Sequence, residues 1–187
     1  MVQKYLWTYW HSESIPDTVT ECINSWKVHH PDFTVIVLNE NNYSKFVTID
    51  VKRQLSKSDS LFSDILRIKL VKKYGGFWFD SSIMCYKHIS QIFDISDNSD
   101  LYAYYMDNFT TNQKYKVIES WFFGANCCSK FLIEWEKEME RNLNDFKSND
   151  EYINDLKKQG VDLQNISLPG YLSIHCAAQK VLQKSNL

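Results

Sequence analysis

Four residues in one stretch of this chain have the types and spacing that could handle a phosphorylated substrate: Asp64, Arg67, Asp80 and Ser82, within SDILRIKLVKKYGGFWFDSS. Asp64 and Arg67 stand three apart, so on a helix they share a face. Phe77, Trp78 and Phe79 are strand formers, and on a continuing strand Asp80 and Ser82 point the same way. A carboxylate and a hydroxyl at the end of a buried strand make half a shell for a hard divalent cation, whose other positions go to water or phosphate oxygens. The bland reading of Asp64 and Arg67 is an exposed ion pair, worth under about 1 kcal/mol.

The elements that must position these residues are legible around them. Ser58, with Asp59 or Ser60, caps a helix whose apolar face is Leu61, Phe62, Ile65, Leu66 and Leu70, and Gly75-Gly76 stops it. Upstream, Lys4 to Trp10 reads as a strand. A helix then opens at Ser14-Ile15-Pro16, with Pro16 at its first position and Val19, Cys22, Ile23 and Trp26 on one face. Phe33 to Leu38 reads as a strand of a parallel sheet covered on both faces. A strand, a helix and a strand make a right-handed crossover, whose ligands bind beyond the carboxyl ends of the strands. That places Thr8, Tyr9 and Trp10, and Asn39 with Glu40, at the candidate cleft. Trp10 has two readings, a stacking surface for a nucleobase or a core residue.

The rest of the chain is less specific. A short helix is expected around Tyr43 to Val47, strands at Leu101 to Met106 and Trp121 to Ala125, and helices at Phe131 to Leu143, Asn149 to Lys158 and from Ser173. The charges of EWEKEMER read as a solvated helix face.

The combination of Asp64 to Arg67, Tyr74-Gly75-Gly76 and Asp80-Ser81-Ser82, in that order, resembles the sugar transferases of the capsular polysaccharide synthesis and family 32 type. Those in turn resemble the glucosyltransferase domains of large bacterial toxins. The likeness runs from about Tyr5 to Ile83, with a fainter echo at Glu119-Ser120-Trp121. It implies an α/β fold of the GT-A type, a mixed central sheet flanked by helices, and a metal-dependent glycosyltransferase moving a sugar from a UDP-sugar, UDP-glucose or a related one, to a glycan acceptor with retention of configuration. The resemblance makes Asp80 a ligand for Mn²⁺ or Mg²⁺ and puts Ser82 where many relatives carry a second aspartate. Phe79 and Ser81 flank Asp80 in the donor-binding set. Asp64 is directed to a ribose or sugar hydroxyl and Arg67 to the sugar or diphosphate. Trp10 matches the tryptophan that ends the first strand of those families. Glu119, with Asp107 second, is the candidate for stabilising an oxocarbenium-like transition state, and Glu119, Ser120 and Trp121 would line the acceptor side.

His175, after the LPGY turn, is either a third metal ligand or an ordinary buried or surface histidine. A neutral Ser82 also leaves open a non-catalytic sugar-nucleotide or glycan-binding module. A nucleotidyltransferase is the weakest reading, for want of a glycine-rich, basic phosphate loop near the N-terminus.

With 187 residues the chain is expected to form one domain, 1–187, and its abrupt end suggests a module of a longer protein. A formal net charge of −2, without a basic run, gives no footprint for nucleic acid. Five cysteines without a C-x-x-C pair point to a reducing compartment. No apolar stretch is long enough to span a bilayer, so a cytoplasmic location is expected.

Overall fold

The computed structural model describes residues 2–49, 59–97 and 99–184. Its centre is a five-stranded mixed sheet in the order β2-β1-β3-β5-β4. The strands are β1 (Tyr5–Tyr9), β2 (Thr34–Leu38), β3 (Gly76–Phe79), β4 (Tyr102–Tyr105) and β5 (Ile118–Ala125). β1 runs parallel to both β2 and β3, whereas β3 pairs antiparallel with β5, and β5 with β4. The helices are α1 (Asp17–His29), α2 (Asp59–Tyr74), α3 (Lys130–Asp145), α4 (Asn149–Lys158) and α5 (Ser173–Lys184). The α/β class with helices around a mixed sheet is as expected.

Alternation along β3 divides the interior into two layers. Trp78 packs with Ile65, Leu66, Trp135 and Ala177 of α2, α3 and α5. Phe77 and Phe79 point the other way, to Ile23 and Trp26 of α1. The apolar face read for α1 is the one that is buried: Val19, Cys22, Ile23 and Trp26. Pro16 is its N-cap rather than its first helical residue.

Four further expectations change. β2 is at the sheet edge and only Leu38 in it is fully buried, so it is not covered on both faces. β3 ends at Phe79, and Asp80 to Ser82 form a turn closed by Ile83 N–H to Asp80 O at 3.0 Å, so strand alternation does not orient Ser82. The charges of α3 are not all solvated: Glu136 is buried and takes Lys69 Nζ at 2.8 Å and also Lys72 Nζ, both from α2. Around Tyr43 the chain makes only a 3₁₀ turn, Tyr43–Lys45. Ser58, one of the caps read for α2, lies outside the described residues.

The α2–β3 junction sets the position of everything downstream. Gly75 and Gly76 have φ of 70° and 92°, where other residues are strained. A Cβ on Gly76 would stand 2.5 Å from Tyr5 O, so β1 and β3 pair closely only because this position is glycine.

Candidate functional site

α2 carries Asp64 and Arg67 into the interior rather than to the surface: the two residues are only 7% and 5% exposed. Ile65, Leu66, Ile68, Leu70 and Val71 are buried too, so the middle of the helix is enclosed nearly all round. A buried guanidinium must have its donors satisfied. Arg67 Nε donates to Ser63 O at 3.2 Å, Nη1 to Ser120 O at 2.7 Å and Nη2 to Ser63 Oγ at 3.1 Å. Its charge is shared between Asp64 Oδ1, 3.2 Å from Nη2, and Asp80 Oδ1, 3.4 Å from Nη1. The exposed ion pair of the bland sequence reading is therefore excluded by burial.

Asp80 follows β3 and continues its ladder, its N–H donating to Trp121 O at 2.9 Å. The indole Nε1 of Trp78 donates to Asp80 Oδ1 at 2.6 Å, and the Arg67 guanidinium lies over the Trp78 ring, 5.1 Å from its centroid. Both polar contacts to the carboxylate fall on Oδ1. Oδ2 takes neither of them. The side chain of Asp80 is 34% exposed, against 10% for Asp64.

That exposure opens onto a cavity of about 280 Å³ at the carboxyl ends of β1 and β3. Tyr9, Trp10, Arg67, Asp80, Ser81 and Ser82 all line it, and His11, Ser60 and Ser63 complete the wall. Trp10 is held in place by Nε1–H to Ser14 O at 3.2 Å and by its N–H to Leu38 O at 2.9 Å. Six of the residues singled out from the sequence thus share one cavity.

The others lie elsewhere. Thr8 is fully buried within β1, and among the described residues its hydroxyl has no hydrogen-bond partner. Phe79 is 1% exposed and faces the α1 layer. Asn39 ties the loop after β2, its Oδ1 accepting from Asn41 N, while Glu40 N–H reaches His11 O at 3.3 Å and joins this loop to the cavity wall. Glu119 lies within β5 and outside the cavity lining; burial raises its pKa, and a side-chain hydrogen bond with Trp121 opposes the rise. Asp107 sits exposed in the turn after β4.

His175 is in the first turn of α5 and is 4% exposed, with neither ring nitrogen finding a hydrogen-bond partner of good geometry among the described residues. Burial, then the charge of Arg67, lowers its pKa to about 4. Asp64 moves the opposite way: burial pushes it up to about 6, Arg67 pulling down and Asp80 adding to the rise. Among the described residues no three His, Cys, Asp or Glu side chains gather as a ready-made metal shell. What the cavity offers is one carboxylate with hydroxyls from Ser81 and Ser82. This all-oxygen set suits Mg²⁺ or Mn²⁺, ions that leave several positions to phosphate and water.

Reading charged residues alone passes over Trp78 and Ser63, which hold Asp80 and Arg67. For Trp78 the signal is present in the sequence: it lies two residues before Asp80, on the same side of the strand, and a buried indole N–H needs an acceptor.

Comparisons with known proteins agree with this architecture. A solved structure described as PaToxG Glycosyltransferase superposes with a TM-score of 0.53, at 12% sequence identity, covering 97% of this chain and 87% of that one. The chain shares the fold of that protein, a GT-A-like α/β arrangement. Among curated proteins no sequence matches significantly. No helix of the described residues is long and apolar enough to cross a membrane. The family model for capsular polysaccharide synthesis proteins matches residues 1–156, which is most of the chain, and the chain therefore belongs to that family of glycosyltransferase-like proteins.

Proposed function

We propose that the chain is a metal-dependent glycosyltransferase that takes a sugar from a UDP-sugar, UDP-glucose or a close relative, and passes it to a glycan acceptor with retention of configuration. The observation that carries the reading is the state of Asp80. One carboxylate oxygen is fixed by Trp78 and Arg67, on a side chain that stays 34% exposed and lines a cavity shared with Tyr9 and Trp10.

In this reading Asp80 Oδ2 and the Ser82 hydroxyl hold Mn²⁺ or Mg²⁺, with Ser81 beside them. The cation supplies Lewis-acid neutralisation of the charge that builds on the leaving diphosphate. A hydroxyl binds a divalent cation more weakly than a carboxylate, so the nucleotide itself must furnish much of the affinity. Trp10 offers its face to the uracil ring. Arg67 is occupied by protein groups, so its part is to fix Asp80 and keep a positive charge at the base of the cavity. Asp64 balances that charge from the buried side. His175, buried close enough for Arg67 to lower its pKa, is outside the cavity lining, so it serves as a third ligand only if α5 moves. Glu119 serves as the carboxylate on the far side of the sugar, and product anomer analysis by NMR tests both it and retention.

The assignment is tested by thermal shift with UDP, GDP and UDP-sugars, with and without Mn²⁺, because a ligand that binds only the native state raises its melting temperature. The expected result is stabilisation by UDP-sugar that EDTA abolishes, together with Mn²⁺-dependent donor hydrolysis. Binding without turnover makes the protein a sugar-nucleotide-binding module, and no nucleotide response ends the transferase reading.

A further inference from the structure

Next to the cavity of Asp80 lies another that the proposed donor site leaves free. Asp80, Ser81 and Ser82 line the first, and the residues that follow them, Ile83 to Lys87, line the second, of about 280 Å³. The turn closed between Asp80 and Ile83 is the partition between the two. Beyond it the wall is aromatic. Phe79 and Phe122 are buried at its base, while Tyr86, Tyr104 and Trp121 stand at the rim, 79%, 37% and 37% exposed.

The backbone goes out of its way to place Trp121 there. Ala103 pairs with Phe123 but Tyr105 with Ile118, so β5 bulges between those pairs. In a regular strand, consecutive side chains face opposite sides of the sheet. Across this bulge Trp121 and Phe122 line the same cavity. The Trp121 ring stacks on Tyr104, with centroids 5.8 Å apart and 21° between planes. Contiguous exposed aromatic surface of this kind marks a binding site more often than chance exposure does.

The two rings lie nearly parallel, one over the other, and each keeps about a third of its surface exposed, so the stack offers the cavity an apolar aromatic face that suits the C–H face of a pyranose. The edge of a sugar ring carries hydroxyls, and the rim meets these with the phenols of Tyr86 and Tyr104 and the ammonium of Lys87. A plain hydrocarbon chain would gain nothing from those polar groups. We infer that this cavity is the acceptor subsite, binding one sugar unit of a glycan against Trp121 and Tyr104, an inference that rests on the transferase reading. In the transfer, the anomeric C–O bond to the diphosphate breaks and a C–O bond to a hydroxyl of the bound sugar forms. The nucleoside diphosphate leaves with the electron pair of the broken bond, and the acceptor hydroxyl's proton passes to the departing diphosphate oxygen.

Saturation-transfer-difference NMR on the whole chain tests this without donor, using short malto-, xylo- and chito-oligosaccharides and octyl glucoside as probes. Transfer from aromatic protons to the ring C–H protons of at least one oligosaccharide series is expected. Trp121→Ala should weaken that binding by about tenfold and Trp121→Phe much less. Tyr104→Ala, at a half-exposed position, gives a second readout should Trp121→Ala fold poorly. The inference is overturned if no oligosaccharide receives saturation, if neither variant weakens the signal, or if only the alkyl chain of octyl glucoside responds, which would make this a lipid surface. Thermal shift by UDP with Mn²⁺ on the same samples separates the two readings. Sugar binding without a nucleotide response sinks the transferase and with it the acceptor role, leaving a sugar-binding cavity; a nucleotide response without sugar binding sinks the subsite alone.

Discussion

Arg67 Nη1 stands 3.4 Å from Asp80 Oδ1, while Nη2 of the same guanidinium is 3.2 Å from Asp64 Oδ1. One cation thus lies between a carboxylate sealed in the interior and another at the wall of a cavity. The arrangement is asymmetric in exposure: the Asp80 side chain is 34% exposed and lines the cavity, whereas that of Asp64 is 10% exposed and does not.

Removing the shared cation should therefore disable the exposed carboxylate. Arg67→Ala is expected to lower kcat or raise the donor KM by at least about tenfold, the scale of a charge-assisted hydrogen bond. Arg67→Lys should recover little, since an ammonium cannot span Ser63, Ser120 and both carboxylates as the planar fork does. Steady-state donor kinetics measure this, and unchanged kinetics in Arg67→Ala would remove the residue from the site.

The tether from Trp78 is a weaker version of the same constraint. Trp78→Phe keeps an aromatic ring under Arg67 but removes the N–H that holds Asp80 Oδ1 at 2.6 Å. A loss of Mn²⁺ affinity in the presence of UDP by about three- to tenfold is expected, matching one hydrogen bond. Trp78→Ala should cost a further several kcal/mol of stability through the cavity it leaves. Calorimetric titration of Mn²⁺ into the UDP complex distinguishes positioning from packing.

Much of this site was legible in the sequence, and the reasons differ by residue. Helical spacing brought Asp64 and Arg67 to one face, and the glycine pair fixed where α2 ends. Strand alternation failed at Ser82 because β3 stops at Phe79 and the chain turns. The rule that crossover units bind ligands at the carboxyl ends of their strands placed Thr8 at the cleft, but side chains there alternate between cleft and core, and Thr8 falls on the core side. The burial of Asp64 and Arg67 was hidden, since polar residues normally mark the solvent side of a helix. Here both are enclosed because Ser63 and Ser120 satisfy the guanidinium. The bulge that exposes Trp121 is a matter of register between β4 and β5, which no local pattern encodes.

In the proposed reading, Ser82 sets how the cation is retained. Ser82→Asp would add a second carboxylate to the same cavity and should tighten Mn²⁺ binding to the free protein by about tenfold. The same change should reduce the dependence of Mn²⁺ affinity on UDP. Electron paramagnetic resonance of bound against free Mn²⁺, with and without UDP, reads both quantities. Equal affinities for the wild type and the variant would place Ser82 outside the coordination shell.

Gly76 links the pairing of β1 and β3 to the position of Asp80. A methyl group there meets Tyr5 O at 2.5 Å, a backbone atom that cannot swing aside, and φ of 92° adds strain. Gly76→Ala should destabilise the fold by about 2–4 kcal/mol, measured by urea denaturation. A loss of less than about 1 kcal/mol would mean that the two strands can separate without harm.

The opposed titrations of Asp64 and His175 give a pH test in metal-free protein. As pH falls from 7, the unfolded chain protonates its histidine near 6.5, but native His175 resists until about 4. Over that window the native state loses about 3 kcal/mol through His175. Native Asp64 instead takes its proton near 6, ahead of the unfolded aspartate at about 3.9, and the native state gains about 3 kcal/mol as pH falls. The two terms overlap and nearly cancel between pH 6.5 and 4, so neither is visible in the wild type. Each variant should uncover the other group: relative to wild type, His175→Leu becomes more stable and Asp64→Asn less stable on going from pH 7 to 4. Urea denaturation at pH 7, 5.5 and 4 in EDTA measures both differences. If either difference stays constant with pH, the corresponding group does not titrate as its burial beside Arg67 requires.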